Sequence, residues 1–271
     1  NKAEYDSAGL MRESLQEVWT AHVGMNSGKM DLEPPRLDVE SNHKKDYKPP
    51  GEQFKWMCRD AMQVLEIFLT SVNHRGVAPL RWNWEYVLID SLGLLQSEDR
   101  DLRDLAMLVC LILSAATTDH GCITATKSLY DAGYLNMEKL ASAENSTITN
   151  LIKMAGINFV KAFFLISMAK TCMEKHSGRL PESYADLTDL KGVGRKTAVL
   201  HKNECYGFPF GIGSDSHVFE LSRAWGFLQQ EAKPQANVDA EDAENALREW
   251  VPCSDYKKTN KIFGTFGQLF S

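Results

Sequence analysis

From Gln53 to the end of the chain, apolar residues recur every three or four positions, and no stretch alternates strictly between apolar and polar residues. Residues 105–116 are apolar on every side, which is typical of a helix that is buried all round. Similar spacing predicts other helices at about 57–68, 86–95, 123–132, 147–155, 160–176, 184–190, 195–206, 216–225, 240–250 and 256–269. The sequence therefore predicts an all-α protein, and its 271 residues suffice for one large core or two smaller ones.

The composition excludes several classes of protein. Six scattered cysteines without Cys-x-x-Cys spacing predict a reduced, intracellular protein rather than a disulfide-bonded, secreted one. The longest apolar run, 105–113, is far shorter than the ~18 residues needed to span a bilayer, so no membrane association is expected. The chain begins with Asn1 rather than Met, as it would if a leader had been trimmed. The sequence therefore does not determine the compartment, and nucleus and mitochondrion are the options in a eukaryote.

Residues 1–52 differ in character from the rest of the chain. They are mostly polar and contain two proline pairs, which predicts an extended arm or a linker. The basic cluster at 43–48 is more typical of a solvated loop than of a binding site. Over the whole chain 36 acidic residues outnumber 30 basic ones, giving a net charge of -6, which disfavours a polyanionic partner unless a basic surface is concentrated locally.

One segment, 187–198, combines two helices with a tight turn between them. Its sequence, Leu-Thr-Asp-Leu-Lys-Gly-Val-Gly-Arg-Lys-Thr-Ala, predicts that the second helix begins at Arg195. The glycines permit a positive φ and a close approach of the backbone, and the N-terminus of the second helix offers amides to a phosphate oxygen. This is the pattern of a helix-hairpin-helix motif, which holds a DNA backbone without reading its sequence. A Gly-Val-Gly turn alone is more often an ordinary connector between helices.

The context of this motif resembles a known family. Lys196 stands in the first turn of the second helix, and Asp215 follows within a Gly-Ser-Asp-Ser-His-Val segment. With these residues the chain resembles endonuclease III and its eukaryotic relatives, within the HhH-GPD superfamily of DNA glycosylases. Further similar segments are Leu-Ser-Ala-Ala-Thr-Thr-Asp at 113–119, Ala-Gly-Ile-Asn-Phe-Val-Lys-Ala at 155–162 and Phe-Gly-Thr-Phe-Gly-Gln at 263–268. The similarity keeps its order over about 101–271, which argues against chance.

The resemblance implies a fold of two α-helical domains with a DNA-binding cleft between them. Residues 101–208 would form a six-helix barrel that carries the helix-hairpin-helix at about 184–206. Residues 53–100 and 209–271 would together form the second helical domain, and the arm would stay outside both. Lys196 and Asp215 would then face each other across the cleft.

The resemblance also implies a base-excision DNA glycosylase with AP lyase activity, in which Lys196 is the nucleophile and Asp215 the catalytic carboxylate. A helix N-terminus and partial burial both lower the pKa of a lysine, which attacks only when it is neutral. Its attack on the sugar C1′ expels the damaged base and leaves a Schiff base, from which β-elimination releases the 3′ phosphate. Asp215 would accept a proton or stabilise positive charge on the sugar. The partner would be double-stranded DNA with an abasic site or a flipped, damaged base, and oxidised pyrimidines are the usual lesions of the family.

The residues expected to contact DNA come from the hairpin and from the other similar segments. They are Lys191, Gly192, Val193, Gly194, Arg195, Lys202, Ala116, Ile157, Phe159 and His217. Ordinary structural roles are the alternatives: Lys196 as a solvated lysine, Asp215 as the N-cap of the next helix and His217 as a packed helix residue. Capping and catalysis by Asp215 are compatible with each other. Asp119, which follows a buried helix, is expected to cap the helix after it.

The chain departs from the family pattern at four places. The family's 4Fe–4S cluster needs four cysteine thiolates, but Cys253 is the only cysteine after Cys205, so no metal or cofactor is expected within these residues. The cysteine loop is either absent or lies beyond residue 271. Ala116 replaces the glutamine that fills the gap left by the flipped base, and Phe159 replaces an asparagine and could wedge into the base stack instead. Glu220 replaces an arginine, which reverses a charge near the expected path of the phosphates.

These departures and the net charge of -6 leave a second function open. The chain could be a glycosylase-fold protein that has lost catalysis and serves as a structural subunit of a larger assembly, with the polar N-terminal arm docked on a partner that the sequence does not identify. Retention of both Lys196 and Asp215 favours the enzyme, because a scaffold has no physical need for that pair. A DNA-binding module without chemistry is disfavoured for the same reason.

Overall fold

The computed structural model describes residues 62–63, 65–67, 84–94, 97–206, 209–224 and 236–270. The predicted arm, and most of the helix predicted at 57–68, lie outside these residues. The described helices are α1 (Trp84–Ser91), α2 (Arg100–Leu113), α3 (Asp119–Asp131), α4 (Met137–Ser142), α5 (Asn145–Leu151), α6 (Asn158–Lys175), α7 (Tyr184–Asp189), α8 (Arg195–Cys205), α9 (Ser216–Ala224), α10 (Ala236–Arg248) and α11 (Tyr256–Phe270). The part of the chain that is described contains no strand, and the predicted all-α class is confirmed. None of its helices is long and apolar enough to cross a bilayer.

Helix α2 packs against four other helices of residues 83–213. The Asp99 side chain accepts a hydrogen bond from the Leu102 amide at 3.0 Å, so the helix begins five residues before the predicted position 105. Every residue from 105 to 113 is buried, as the sequence predicted, because α1, α3, α6 and α8 pack around it. The helix ends at Leu113 rather than at the predicted 116, since Ala116 has a positive φ of 49°.

Side-chain caps set the starts of several other helices. Thr118 Oγ1 accepts a hydrogen bond from the Gly121 amide at 3.1 Å, so Thr118 and not Asp119 caps α3, and that prediction was wrong. Asn136 caps α4 by accepting from the Lys139 amide at 3.0 Å. The periodicity did not predict α4, because a six-residue helix with two buried side chains gives too short an apolar pattern.

Helix α8, which begins at the hairpin, is held in place by hydrogen bonds from two of its side chains. The His201 Nε2–H group donates to the Asp104 carbonyl at 3.2 Å, and burial lowers the pKa of this histidine to about 4. The Asn203 amide donates to the Gly211 carbonyl and accepts from the Phe210 amide, both at 2.7 Å. Both side chains are buried, so α8 is held against α2 on one side and against the following segment on the other.

The chain divides into two compact units. One unit spans residues 83–213 and contains α1 to α8, and the other joins the described residues before Asn83 to those from Ser214 onward. Helix α1 belongs to the first unit because its buried residues Leu88 and Ile89 are on a helix that packs against α2 and α3. The first unit therefore begins well before the predicted boundary at residue 101. In the second unit α9 packs against α10 and α11, and the α11 residue Phe263 is fully buried.

Candidate nucleic-acid interface and active site

The hairpin between α7 and α8 has the geometry that the sequence predicts. Leu190 and Val193 are buried beneath the turn, and the Val193 amide donates to the Leu190 carbonyl at 3.0 Å. Helix α8 begins at Arg195 with Gly194 as its N-cap, and a glycine has no side-chain acceptor for the first amides of the helix. The N-cap therefore leaves the positive end of α8 without a neutralising side chain of its own. Gly194 and Lys191 are both exposed, so this end of the helix is presented to solvent.

The two glycines of the turn meet different demands. Gly192 has a φ of +85°, and a Cβ atom placed on it would lie 2.7 Å from the Cβ of Phe164. Its backbone conformation and its close packing on α6 each exclude a side chain. A Cβ atom on Gly194 would meet nothing within 4 Å. The turn thus depends on Gly192 for its shape, and the open space at Gly194 leaves the N-terminus of α8 accessible.

The predicted cationic residues divide into two groups along α8. Lys196 is half-buried in the first turn of the helix, beside Arg195 and close in sequence to the exposed Lys191. Lys202 lies in the last turn, where its ammonium group donates to the Glu182 carbonyl and stands 4.0 Å from the centroid of the Tyr206 ring. Lys191, Arg195 and Lys196 therefore lie together at the hairpin, whereas Lys202 is engaged by other contacts at the opposite end of α8.

Asp215 caps helix α9, which is one of the two roles predicted for it. Its Oδ1 atom accepts a hydrogen bond from the Val218 amide at 3.0 Å, its carbonyl accepts from the Phe219 amide at 2.8 Å, and only 9% of the residue is exposed. The capping role is confirmed. Asp215 belongs to the unit that starts at Ser214, whereas Lys196 belongs to the unit of residues 83–213. Their pairing across a cleft stays a prediction.

Helix α9 also carries His217 and Glu220. A Cβ atom on Gly267 would lie 2.7 Å from the Cβ and Nδ1 atoms of His217, so the half-buried histidine packs closely on α11. This contact supports a packing role for His217. The exposed Glu220 accepts a hydrogen bond from the guanidinium group of Arg223 at 2.7 Å. The reversed charge at position 220 is therefore partly offset by its neighbour, one turn further along the helix.

Two loops of the first unit, residues 114–118 and 154–158, are joined to each other, and we call them the paired loops. The Gly156 amide donates to Thr117 Oγ1 at 2.9 Å, and a Cβ atom on Gly156 would lie only 2.3 Å from the Ala116 carbonyl oxygen. Ala116 and Ile157 have φ values of +49° and +55°, and both are exposed. Phe159 follows directly at the start of α6 and is 66% exposed. The structure thus brings the predicted residues Ala116, Ile157 and Phe159 to one edge of the unit.

A buried lysine holds the paired loops, and the sequence reasoning assigned it no role. Lys161 Nζ donates to the Leu113 carbonyl at 2.8 Å, to the Ala115 carbonyl at 2.5 Å and to Thr117 Oγ1 at 2.7 Å. All three partners are uncharged oxygens, and burial lowers the pKa of the lysine. The signal was present in the sequence, because Lys161 stands on the face of α6 that otherwise buries apolar residues.

The cysteines of the described residues do not fit an iron–sulfur cluster. Cys110 and Cys122 lie together in the core of the first unit with their sulfur atoms 3.6 Å apart, and Cys253 is exposed. Among the residues that the structure describes, no three His, Cys, Asp or Glu side chains are grouped so that they could hold a metal ion. A 4Fe–4S cluster needs four thiolates together. The expectation of no cofactor stays a prediction for the chain as a whole.

The fold and the hairpin agree with one family. Residues 109–253 match the HhH-GPD superfamily of base excision DNA repair proteins. Because the match covers more than half of the chain, this chain belongs to the HhH-GPD superfamily, as an endonuclease III-like member. The family inferred from the sequence segments is therefore confirmed.

Individual relatives support the same placement. Endonuclease III homolog 1, chloroplastic, of Arabidopsis thaliana is 29% identical over 219 residues, which are 75% of this chain and 57% of the relative. Endonuclease III of Thermotoga maritima is 29% identical over 162 residues, which are 60% of this chain and 72% of that protein. The chain spans just over half the length of the Arabidopsis relatives that it matches.

Solved structures share the fold. A trapped endonuclease III–DNA covalent intermediate is 25% identical, with a TM-score of 0.54 over 60% of this chain and 72% of that one. A non-covalent endonuclease III–DNA complex has a TM-score of 0.55 at 22% identity, over 69% of this chain and 86% of that one. At that identity the second likeness concerns the fold alone.

Proposed function

We propose that this chain is a base-excision DNA glycosylase with AP lyase activity. The observation that carries the proposal is the hairpin, where the exposed positive end of α8 lies beside the half-buried Lys196. A helix N-terminus of this kind binds a phosphate, and a lysine in its first turn is suited to attack the sugar next to that phosphate. The likeness at 25% identity to an endonuclease III trapped in a covalent complex with DNA supports a covalent step.

In the proposed reaction the neutral amine of Lys196 attacks C1′ of the damaged nucleotide. The glycosidic bond breaks, and its electron pair leaves with the base, which takes up a proton. Opening of the sugar ring gives a Schiff base between Lys196 and C1′. Loss of a proton from C2′ then eliminates the 3′ phosphate and nicks the strand. Asp215, whose carboxylate is oriented by the Val218 amide, would accept a proton or stabilise positive charge on the sugar.

The proposed substrate is duplex DNA that contains an abasic site or an oxidised pyrimidine. A damaged or missing base leaves the stack at lower cost than a paired base, which favours such sites over intact DNA. Two Arabidopsis relatives are described as chloroplastic. We propose an intracellular, DNA-containing compartment for this chain too.

The test of the proposal is to trap the Schiff base. With borohydride and a duplex that carries an abasic site, the wild-type protein should form a covalent adduct with the DNA, and Lys196→Gln should form none. Lys127→Gln is a matched control, because Lys127 is an exposed lysine paired with Asp131 on α3 and should keep the full yield of adduct. An equal yield of adduct from Lys196→Gln would assign the nucleophile to another residue.

A structural subunit without catalysis is the second candidate. It is favoured by Ala116, which has no group to hydrogen-bond an orphaned base, and by Glu220, although the ion pair of Glu220 with Arg223 weakens the second argument. A scaffold predicts neither adduct nor nicking, and no preference for abasic over intact duplex at a low salt concentration of about 50 mM, where phosphate contacts are strongest. A binding titration of the two duplexes separates the two candidates.

A further inference from the structure

Exposed apolar side chains are concentrated on one short stretch of the first unit. Among the described residues, most of the large apolar side chains that are more than a third exposed come from the second paired loop and the first turns of α6. They are Met154 at 53%, Ile157 at 63%, Phe159 at 66%, Val160 at 40% and Phe163 at 51%. A soluble surface rarely gathers such side chains without a ligand that covers them.

Two phenylalanines extend this surface along α6 toward the hairpin, and we call Phe159 and Phe163 the aromatic ridge. They are four residues apart in a helix and therefore share one face. The Phe163 ring lies 6.2 Å from the ring of Phe164, and Phe164 is the residue that packs against Gly192 of the hairpin turn. Phe164 therefore links the ridge to the turn that presents the helix N-terminus.

The charge around the ridge favours a polyanion. From Asn145 to Met173 the chain contains no acidic residue and carries two exposed lysines, Lys153 and Lys170, although acidic residues outnumber basic ones in the chain as a whole. The exposed Lys153 precedes the ridge, and the exposed Lys191 stands in the hairpin turn. Aromatic side chains interleaved with cations form the type of surface that single-stranded nucleic acids use.

We propose that the aromatic ridge stacks on DNA bases that are left unstacked around the lesion, an inference that rests on the proposed function. A phenyl ring has no donor or acceptor, and every base has a π-face, so stacking on it does not distinguish one base from another. Ala116, on the neighbouring loop, adds no hydrogen-bonding side chain. The protein therefore binds an abasic site with little regard to the opposite base, and it binds more tightly where bases are unpaired, because they unstack at lower cost.

The experiment measures binding by fluorescence anisotropy with labelled duplexes that carry a tetrahydrofuran abasic analogue. The analogue is placed opposite A, C, G or T or within an unpaired bubble, and intact duplex is the reference. The wild-type Kd should vary by less than about threefold among the four opposite bases and should be lowest for the bubble. Replacement of both Phe159 and Phe163 by Ala should raise the Kd for abasic duplex by about tenfold or more, but change that for intact duplex by less than about twofold.

Three further variants separate stacking from other effects. Phe163→Tyr keeps an aromatic ring and should bind as the wild type does, whereas Phe163→Leu keeps apolar bulk without a ring and should lose affinity. Met173→Ala removes an exposed apolar side chain near the far end of α6 and should change nothing. Thermal melts verify that each protein is folded, and the Leu variants at 159 and 163 replace the double variant if that one does not fold.

Failure of this inference differs from failure of the proposed function. Unchanged abasic binding by the phenylalanine variants, or a Kd that varies more than about tenfold with the opposite base, would overturn the ridge even if Lys196 forms its adduct. Ridge-dependent binding without an adduct would keep the ridge and refute the lyase. Absence of DNA binding would overturn both. Sedimentation with phosphatidylserine vesicles that depends on the two phenylalanines would overturn the ridge alone, since the ridge would then be a membrane contact.

Discussion

The hairpin turn and the paired loops meet the same backbone demand in different ways. Each contains a sharp bend that requires a positive φ. The hairpin places a glycine at that point, Gly192 at +85°, whereas the paired loops use Ala116 at +49° and Ile157 at +55°. A side chain in this region costs about 1–2 kcal/mol, and the conformation is rarest for β-branched residues such as isoleucine. The hairpin is relaxed, and the paired loops are strained.

The two regions are also stabilised over different distances along the chain. The hairpin's own hydrogen bond joins Val193 to Leu190, only three residues away, and its glycine packs on the neighbouring α6. The paired loops depend on Lys161, whose partners are 44 to 48 residues away in sequence. Strain of this kind persists only where the surrounding structure enforces it, and it is concentrated at functional sites. The difference indicates that the loops hold Ile157 and Phe159 outward for a ligand.

The largest effect that we predict tests this dependence on one lysine. Lys161→Met keeps the length of the side chain but removes the donor of three hydrogen bonds and leaves the buried Leu113 carbonyl without a partner. A hydrogen bond from a charged group contributes about 1.5–3 kcal/mol, so the free energy of unfolding should fall by about 3 kcal/mol or more. Urea denaturation measures this. Lys153→Met, at an exposed position just before the paired loops, is the matched control and should shift the free energy by less than about 0.5 kcal/mol. Equal stability of the two variants would show that the loops do not need Lys161.

The same contrast explains which parts of the molecule could be predicted from the sequence. The hairpin follows local rules, a glycine for a positive φ and a helix start after it, so its bounds were predicted within one or two residues. The segments with Ala116, Ile157 and Phe159 were identified by resemblance, and their proximity to one another came only from the structure. The apolar face of α6 indicates that Lys161 is buried, but its role depends on carbonyls of a different helix and loop, which no local pattern indicates.

A smaller effect is expected within the hairpin itself. Gly192→Ala combines an unfavourable φ with a contact of 2.7 Å to Phe164, and should lower the free energy of unfolding by about 2–3 kcal/mol. Gly194→Ala is the matched control, because its φ is -89° and its Cβ would meet nothing, so the loss should stay below about 1 kcal/mol. Thermal or urea unfolding of both variants provides the comparison. Similar losses in the free energy of unfolding at the two positions would show that the positive φ at position 192 is not what requires a glycine there.

The smallest effect concerns Ile157, where replacement by glycine should relieve backbone strain but weaken DNA binding. Glycine relieves the positive φ and alanine does not, so Ile157→Gly should be more stable than Ile157→Ala by about 1 kcal/mol. The side chain is 63% exposed, so its removal costs little packing in either variant. Both variants should nevertheless bind abasic duplex more weakly than the wild type, because the proposed DNA contact is lost. Unfolding and binding titrations on the same three proteins measure both quantities. A glycine variant that is less stable than the alanine variant would show that Ile157 is not strained, and unchanged binding would show that its exposed side chain does not contact DNA.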